Sequence, residues 1–303
     1  MIYQDYLEQN NYSKTTIEHY IKRIKEFTTW SKKYGIKANE IDYKTCLKYI
    51  KYLQQPARRG GKRIQVQTIN NNIVTLRNYF NYLIETDKRA ENPIEEVSVK
   101  GTVKRVFHNL LDADELEDLY YSYETDTFNK YTNFKTKLTA KRNKIITGLL
   151  VYQGLNTTNL KSLLLEHLEL YKGKIYVPST RRNNSRTMEL KSWQVLDLLE
   201  YVNEIRPKIE KYNNIYNEQL FVPQTHFNDL VRIGIFRNLK KINHKVVNVN
   251  HLRASVIVNW LGQFNIRKVQ YLAGHKYISS TEKYRQNNLE SLHEAVNEFH
   301  PLS

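Results

Sequence analysis

The sequence predicts a mainly α protein of two domains, with a small antiparallel β-sheet in the second domain. Three observations support this prediction. Apolar residues recur at helical spacing along most of the chain, only ten Gly and six Pro interrupt it, and two short β-prone runs flank one polar turn. The 303 residues suffice for two cores at roughly 100–200 residues per domain.

The first predicted domain is helical and covers residues 1–98. Ser13 is a favourable N-cap, and from Ile17 onwards apolar residues repeat at i, i+3, i+4 and i+7. A second helix is predicted from Tyr43 to Leu53, and a third carries apolar residues from Ile69 to Leu83. We therefore expect three helices here, followed by a polar, basic linker at 99–105 with the domain boundary near residue 103.

The second predicted domain covers residues 106–303. Asp112 can cap a helix whose first turn is acidic, and a further helical segment runs from Arg142 to Leu150. Residues 174–178 and 187–190 are β-prone and flank the polar turn 179–186, which predicts a hairpin. Helical patterns resume at Trp193 and continue to the end of the chain.

Composition narrows the class of function. Lys and Arg exceed Asp and Glu by 47 to 31, and the resulting charge of +16 favours a polyanionic partner, above all nucleic acid; the alternative is a basic protein without such a partner. The lone Cys46 excludes an intrachain disulfide and a multi-cysteine zinc cluster. No signal peptide is evident, and the apolar stretch 145–155 is too short to span a membrane. We expect a soluble, cytoplasmic protein without a membrane partner.

A basic loop precedes the third helix of the first domain. Glycines at 60 and 61 break the helix pattern, and four cations lie within six residues: Arg58, Arg59, Lys62 and Arg63. We predict that this loop contacts DNA phosphates and that Arg77 faces the same duplex. The alternative is a solvated run of charges.

The most informative residues lie in the last third of the chain. They are His251-Leu252-Arg253, then Gly274-His275, then Tyr284 nine positions after His275. Each residue alone is usually structural, but together they fit the cleavage of a phosphodiester without metal. Tyrosine serves as the nucleophile, and the arginine fork and the histidine donate to the phosphate oxygens.

These residues resemble the tyrosine recombinases, the family of phage-type integrases and Xer-like recombinases. The resemblance extends over nearly the whole chain, including Thr68-Ile69-Asn70 and Asn92-Pro93 in the first half and Leu272-Ala273-Gly274-His275 in the second. It implies a helical, SAM-like core-binding domain followed by a catalytic domain. It also implies site-specific DNA recombination through a 3′-phosphotyrosyl intermediate, without metal, ATP or other cofactor.

The same resemblance implies partners. They are double-stranded DNA, further copies of the chain in a homotetramer on DNA, and, as an optional component, an accessory DNA-bending protein. The segment 287–302 has apolar residues at helical spacing and resembles the C-terminal helix that docks onto a neighbouring protomer. The alternative is that this helix packs on its own domain.

The sequence departs from the family pattern at three places. Asn156 stands where the family has its first catalytic Arg, with Asn159 in place of an acidic residue. Asn250 occupies the position of a basic residue, with His251 displaced by one. The hairpin turn has Arg181 and Arg182 where the family presents a catalytic Lys.

We therefore predict a catalytic set whose central members are Tyr284, Arg253 and His275. Asn156 and Asn250 are expected to be weaker phosphate donors, and Arg181 lies nearest the position of the catalytic Lys. Arg182 is assigned to DNA binding. The missing charge is expected to come from a nearby arginine, such as Arg142, Arg181 or Arg182.

Three functions remain open at this point. The leading hypothesis is a recombinase of a mobile element. The second is a recombinase-fold protein that has lost strand transfer and acts as a DNA-binding accessory factor. The third is a nicking enzyme similar to type IB topoisomerases, since the same tyrosyl chemistry relaxes supercoils.

Overall fold

The computed structural model describes residues 2–36, 41–56, 63–101, 108–125, 132–222 and 227–285. The chain divides into two compact units, Met1–Arg105 and Val106–Ser303. The prediction of a mainly helical protein with a small antiparallel sheet is confirmed. In the part that the structure describes, no helix has both the length and the apolar composition to cross a bilayer.

The first unit contains four helices among its described residues, one more than the sequence predicted. They are α1 (Tyr3–Gln9), α2 (Lys14–Lys33), α3 (Tyr43–Gln54) and α4 (Val66–Glu85). The additional helix is α1, whose N-cap residue makes no side-chain capping bond and so gives no capping signal in the sequence. Ser13 caps α2 as predicted, by accepting a hydrogen bond from the Thr16 amide at 3.3 Å.

Aromatic side chains pack against one another in the core of this unit. Phe27 of α2 and Phe80 of α4 are completely buried and meet edge to face, with ring centroids 6.3 Å apart. The chain that follows α4 returns to pack against this helix. The side chain of Asn70, in α4, donates to the carbonyl of Val99 and accepts from its amide, both at 2.9 Å. Residues up to 99 therefore belong to the packed unit.

The second unit consists of helices and one three-stranded sheet. Before the sheet come α5 (Ala113–Tyr121), α6 (Phe134–Val151) and α7 (Thr157–Ser162). After it come α8 (Ser192–Glu200), α9 (Arg206–Asn213), α10 (Phe227–Asp229), α11 (Phe236–Ile242), α12 (Val249–Gln263) and α13 (Ile266–Ala273), and residues 278–285 are again helical. Single π-helical stretches at 201–205 and 230–235 lead into α9 and α11.

The sheet contains the predicted hairpin and one strand that the sequence did not reveal. Strands β2 (Lys174–Val177) and β3 (Arg186–Glu189) pair antiparallel, with Ile175 opposite Met188 and Val177 opposite Arg186. The added strand, β1 (Leu168–Glu169), has only two residues and pairs with β2. Because side chains alternate across a strand, Arg186 shares the inward face of β3 with Met188.

Helix α6 is the central helix of this unit. Residues 145–151 are buried on all sides, as expected of a helix surrounded by other elements. Asp112 caps α5 as predicted, through a capping box with Glu115. Leu111, the residue before this cap, donates its amide to Ser255 at 3.1 Å, which ties the start of α5 to α12.

Candidate active site

Arg253, on α12, lies at the centre of the candidate site. Its guanidinium donates to the carbonyl oxygens of Gly154 and Ala273, each at 2.5 Å. These two carbonyls lie where elements end: Gly154 follows α6 in a left-handed conformation, φ 56°, and Ala273 is the last residue of α13. Arg253 is only 5% exposed, and this burial lowers its pKa. The guanidinium is therefore held in one orientation.

His275 lies beside Arg253 and is the second residue after the end of α13. Its Nδ1 is 2.9 Å from the Thr281 hydroxyl, and its Nε2 is 3.3 Å from an Arg253 nitrogen. Because a guanidinium can only donate, Nε2 accepts and Nδ1 carries the proton. Burial, followed by the positive charges of Arg253 and Arg186, lowers the pKa of His275 to about 4. The imidazole is thus neutral at pH 7.

Tyr284 completes the cluster from the helical segment 278–285. Its ring stacks on His275 with centroids 5.7 Å apart and planes 9° apart. Its hydroxyl hydrogen-bonds with the side chain of Arg253. The ring rests on an apolar cluster of Ile257, Val269 and Ala273. The phenolic oxygen is thereby directed at a fixed cation.

The structure adds Arg186, a residue that the sequence analysis did not select. It is the first residue of β3 and is only 2% exposed. Burial and then the neighbouring charge of Arg253 lower its pKa to about 9, so it remains protonated at pH 7. Its Nε and Nη2 have no hydrogen-bond partner. The alternation of β3, which puts Arg186 on the face of buried Met188, was the signal that could have identified it.

Gly274 makes room for Arg186. A Cβ at residue 274 would lie 2.4 Å from Arg186 Nη1 and 2.9 Å from its Cζ, both far inside contact distance. Gly274 also has φ 67°, which disfavours any residue with a side chain. Its carbonyl accepts from the Asn184 amide at 2.9 Å, and Asn183 bridges to His275. The hairpin turn is thus joined to the loop that bears the histidine.

The two asparagines after α6 bring no charge to the site. Asn156 is the N-cap of α7, where its Oδ1 accepts from the Asn159 amide at 2.9 Å. Asn159 is fully buried, and neither its Oδ1 nor its Nδ2 has a hydrogen-bond partner.

Two further predicted catalytic residues, Asn250 and Arg181, are exposed, whereas His251, the neighbour of Asn250, is buried. Asn250 is exposed in the first turn of α12. His251 is buried, but its Nε2 contacts the carbonyl of His108 at 3.3 Å. Arg181 and Arg182 are exposed in the hairpin turn and are not among the buried groups around Arg253.

Arg142 is not available to supply the missing charge, contrary to the expectation above. Its Nη1 donates to the carbonyl of Val222 at 2.9 Å, while Nε and Nη2 donate to Asn143. Arg77 is half-buried and donates to the carbonyl of Val97 at 3.1 Å, and Arg63 is exposed. The remaining members of the basic loop lie outside the described residues: Arg58, Arg59 and Lys62.

Curated relatives and solved structures cover both units. The chain is 26% identical to tyrosine recombinase XerC of Bacillus pumilus over 310 residues, 99% of this chain and 95% of the relative. It is 26% identical to XerD of Listeria monocytogenes over 251 residues, 81% of this chain and 79% of the relative.

The folds agree as well. The XerH site-specific recombinase bound to its difH substrate superposes with a TM-score of 0.67 at 18% identity, over 96% of this chain and 84% of that one. The Tn1549 transposon integrase in complex with transposon right end DNA gives 0.64 at 15% identity, over 98% of each chain.

Models of two domain families match the chain. The phage integrase SAM-like domain matches residues 1–100, and the phage integrase family model matches residues 109–291, which contain Arg253, His275 and Tyr284. The chain therefore belongs to the phage integrase family.

Proposed function

We propose that this protein is a site-specific recombinase that cuts and rejoins duplex DNA through a covalent bond between Tyr284 and a 3′-phosphate. The observation that carries the proposal is the cluster of Tyr284, Arg253 and His275, in which the phenolic hydroxyl meets the guanidinium and the two rings stack. Membership of the phage integrase family and a charge of +16 support double-stranded DNA as the substrate.

In the cleavage step, the Tyr284 oxygen attacks the scissile phosphorus. The new P–O bond forms as the bond to the 5′-oxygen breaks, the phenolic proton leaves, and one proton is delivered to the departing oxygen. The resulting ester conserves the bond energy, so a 5′-hydroxyl of the partner strand can reverse the step without ATP. Negative charge builds up on the non-bridging oxygens in the transition state, where Arg253 stabilises it.

His275 has a second role in this scheme. In the DNA-free protein its Nε2 accepts from Arg253. A bound phosphate brings a negative charge that favours the protonated imidazole and draws the guanidinium to itself. We expect His275 then to donate from Nε2 to a non-bridging oxygen, while Thr281 continues to orient the ring.

Asn156, Asn250 and Arg181 are proposed as supporting donors. The Oδ1 of Asn156 caps α7, which leaves its Nδ2 to donate to a phosphate. Asn250 and Arg181 are exposed and accessible to a bound strand. Losing one preorganised oxyanion donor typically costs about 10²–10³ in rate, so weaker donors slow such an enzyme without abolishing its activity.

DNA binding is assigned to the basic loop and to two further arginines, Arg77 and Arg182. The loop residues are Arg58, Arg59, Lys62 and Arg63. Each neutralised phosphate contributes about 0.9 to the slope of log affinity against log salt, so charge reversal at the four loop positions should flatten that slope. An unchanged slope would contradict the assignment of the loop.

We also propose how the protein assembles on DNA and where it acts. We propose a homotetramer on DNA that assembles through the segment 287–302, with an accessory DNA-bending protein as an optional component. The sequence predicts a helix in this segment, which lies outside the described residues. The likeness to a transposon integrase supports a role in a mobile element. Because the substrate is DNA, we place the protein in the cytoplasm.

The test uses nicked suicide duplexes taken from the DNA that flanks the gene. Wild type should form a covalent complex that resists SDS, and Tyr284→Phe should bind the same DNA but form none. Tyr277→Phe is the matched control, because Tyr277 lies in the same stretch of chain and is 72% exposed. A covalent complex formed by Tyr284→Phe would refute the assignment of the nucleophile.

A second candidate function is that of a DNA-binding accessory factor without strand transfer. Two observations favour it. Position 156 holds a neutral Asn, and Arg181 and Arg182 are exposed rather than buried near Arg253. Tight, salt-sensitive binding without any covalent complex on the nicked duplexes would support this candidate.

A further inference from the structure

We infer that Arg186 is a second guanidinium ligand of the scissile phosphate, presented by strand β3. It would supply the positive charge that Asn156 does not. This inference rests on the proposed function and deepens it, since it names a catalytic residue for the same reaction.

The first argument is that Arg186 is a buried cation without an anion. In the described part of the chain, neither Arg186 nor Arg253 forms an ion pair with a carboxylate. Burial and the positive charge of Arg253 lower the pKa of Arg186, and Tyr271 raises it. Neither of these two neighbours is a carboxylate. Buried charges in proteins are normally paired, so two adjacent unpaired guanidiniums indicate that the anion comes from a ligand.

The second argument concerns the donors that remain free. Nε and Nη2 of Arg186 have no partner, whereas Nη1 makes a long contact of 3.5 Å to the carbonyl of Asn184. Nε and Nη2 form one edge of the guanidinium, with two parallel N–H groups. That edge matches two oxygens of a phosphate.

The third argument is the charge of the reaction. A phosphodiester carries one negative charge, and the pentacoordinate transition state carries a second. Arg253 provides one positive charge that is in place before DNA binds, whereas His275 is neutral in the DNA-free protein and gains a charge only in response to the bound phosphate. A second arginine beside Arg253 therefore matches the charge that develops, which is the condition for transition-state stabilisation.

The surroundings of Arg186 hold it in place for this role. Its backbone pairs with Val177 in the β2–β3 ladder, so the side chain starts from a fixed strand. Gly274 leaves the space that the guanidinium occupies. The same loop carries His275, so one backbone segment positions both the cation and the imidazole.

The experiment measures the rate of covalent complex formation on two nicked duplexes. One has the natural scissile phosphate, and the other has a methylphosphonate there, which lacks the ionised oxygen. We compare wild type, Arg186→Met, Arg186→Lys and the control Arg232→Met, which changes an exposed arginine outside the site. Arg186→Met should slow the reaction on phosphate by about 10²–10³, while Arg232→Met should leave the rate close to that of wild type. On the methylphosphonate, the loss of rate in Arg186→Met should be much smaller. On the natural phosphate, the rate of Arg186→Lys should lie between those of wild type and Arg186→Met.

The other outcomes are distinguishable. If Arg186→Met reacts like wild type, this inference fails and the proposed function stands. An equal loss on both duplexes, or a lower unfolding midpoint for Arg186→Met, would assign Arg186 a structural role and overturn the inference. If wild type forms no covalent complex on either duplex, the proposed function fails, and the inference fails with it.

Discussion

Two regions of the second unit each bury a pair of arginines, and they differ in what the guanidinium groups contact. The first region, which we call the 217–222 anchor, surrounds the buried Tyr201. Arg142 donates to the carbonyl of Val222, Arg206 donates to the carbonyl of Gln219 at 3.0 Å, and Tyr201 donates to that of Leu220 at 3.0 Å. Arg206 also pairs with Glu210 at 2.9 Å.

The second region is the candidate site, with Arg186 and Arg253. Arg253 is bonded to two carbonyls, but Arg186 has two unpartnered nitrogens and another cation as its neighbour. A buried arginine whose donors are satisfied stabilises the fold. One whose donors are unsatisfied costs stability, which is a feature of sites that bind a charged ligand.

The largest expected effect lies in the 217–222 anchor. Arg206→Met removes one member of a buried ion pair and leaves Glu210 without its cation, so the free energy of unfolding should fall by about 3–5 kcal/mol. Urea denaturation measures this change. The matched control is Arg232→Met, which breaks the exposed pair with Asp229 and should change stability by less than about 1 kcal/mol. Equal effects of the two substitutions would contradict the structural role of Arg206.

The next largest effect is a pH dependence of the free energy of unfolding that His275 causes. The pKa of His275 is about 4 in the folded protein against an ordinary 6.5, so as the pH falls below 6.5 the unfolded chain takes up a proton that the folded chain does not. The free energy of unfolding should therefore fall by about 1.4 kcal/mol per pH unit between about 6.5 and 4, in total about 3 kcal/mol. Denaturation across this range, compared with His275→Asn, isolates the contribution. The same slope in both proteins would show that His275 is not the cause.

Gly274 tests the connection between the hairpin and the site. Gly274→Ala should lower the free energy of unfolding by about 2 kcal/mol, because φ is positive and the new methyl group displaces Arg186. In the Arg186→Ser background the backbone strain and the 3.1 Å contact with the Asn184 carbonyl remain, so the same substitution should cost about 1 kcal/mol. If the double-mutant cycle shows no coupling, the two residues are not in contact.

Local signals in the sequence predicted most of the fold. The Ser13 and Asp112 caps mark the starts of α2 and α5, and the two β-prone runs locate the hairpin. Helix α1 lacks such a cap, and a strand of two residues has no periodicity to detect. Elements without a local signal were therefore the ones that sequence analysis missed.

The environments of the arginines are set by long-range packing, which a single sequence does not reveal. Arg142 was one of three arginines suggested as the source of the missing charge, but it donates to the carbonyl of Val222, which lies 80 residues along the chain. Arg181 lies nearest the expected hairpin position and is exposed, whereas Arg186, five residues later, is buried. The sequence shows several arginines in this hairpin but not which of them is buried, because the pairing of β2 with β3 decides which side chain faces inward.

The smallest expected effect on stability has the opposite sign and tests the comparison most directly. Arg186→Met removes a buried cation that has unpartnered donors and a positively charged neighbour, and it replaces the side chain with an apolar one of similar length. The free energy of unfolding of the DNA-free protein should rise by about 1 kcal/mol, because desolvation and like-charge repulsion are both relieved. If the two regions differ in whether the arginine donors are hydrogen-bonded, Arg206→Met lowers the free energy of unfolding and Arg186→Met raises it. Urea denaturation of the two Met variants side by side measures both changes. A loss of stability in Arg186→Met would mean that Arg186 stabilises the fold.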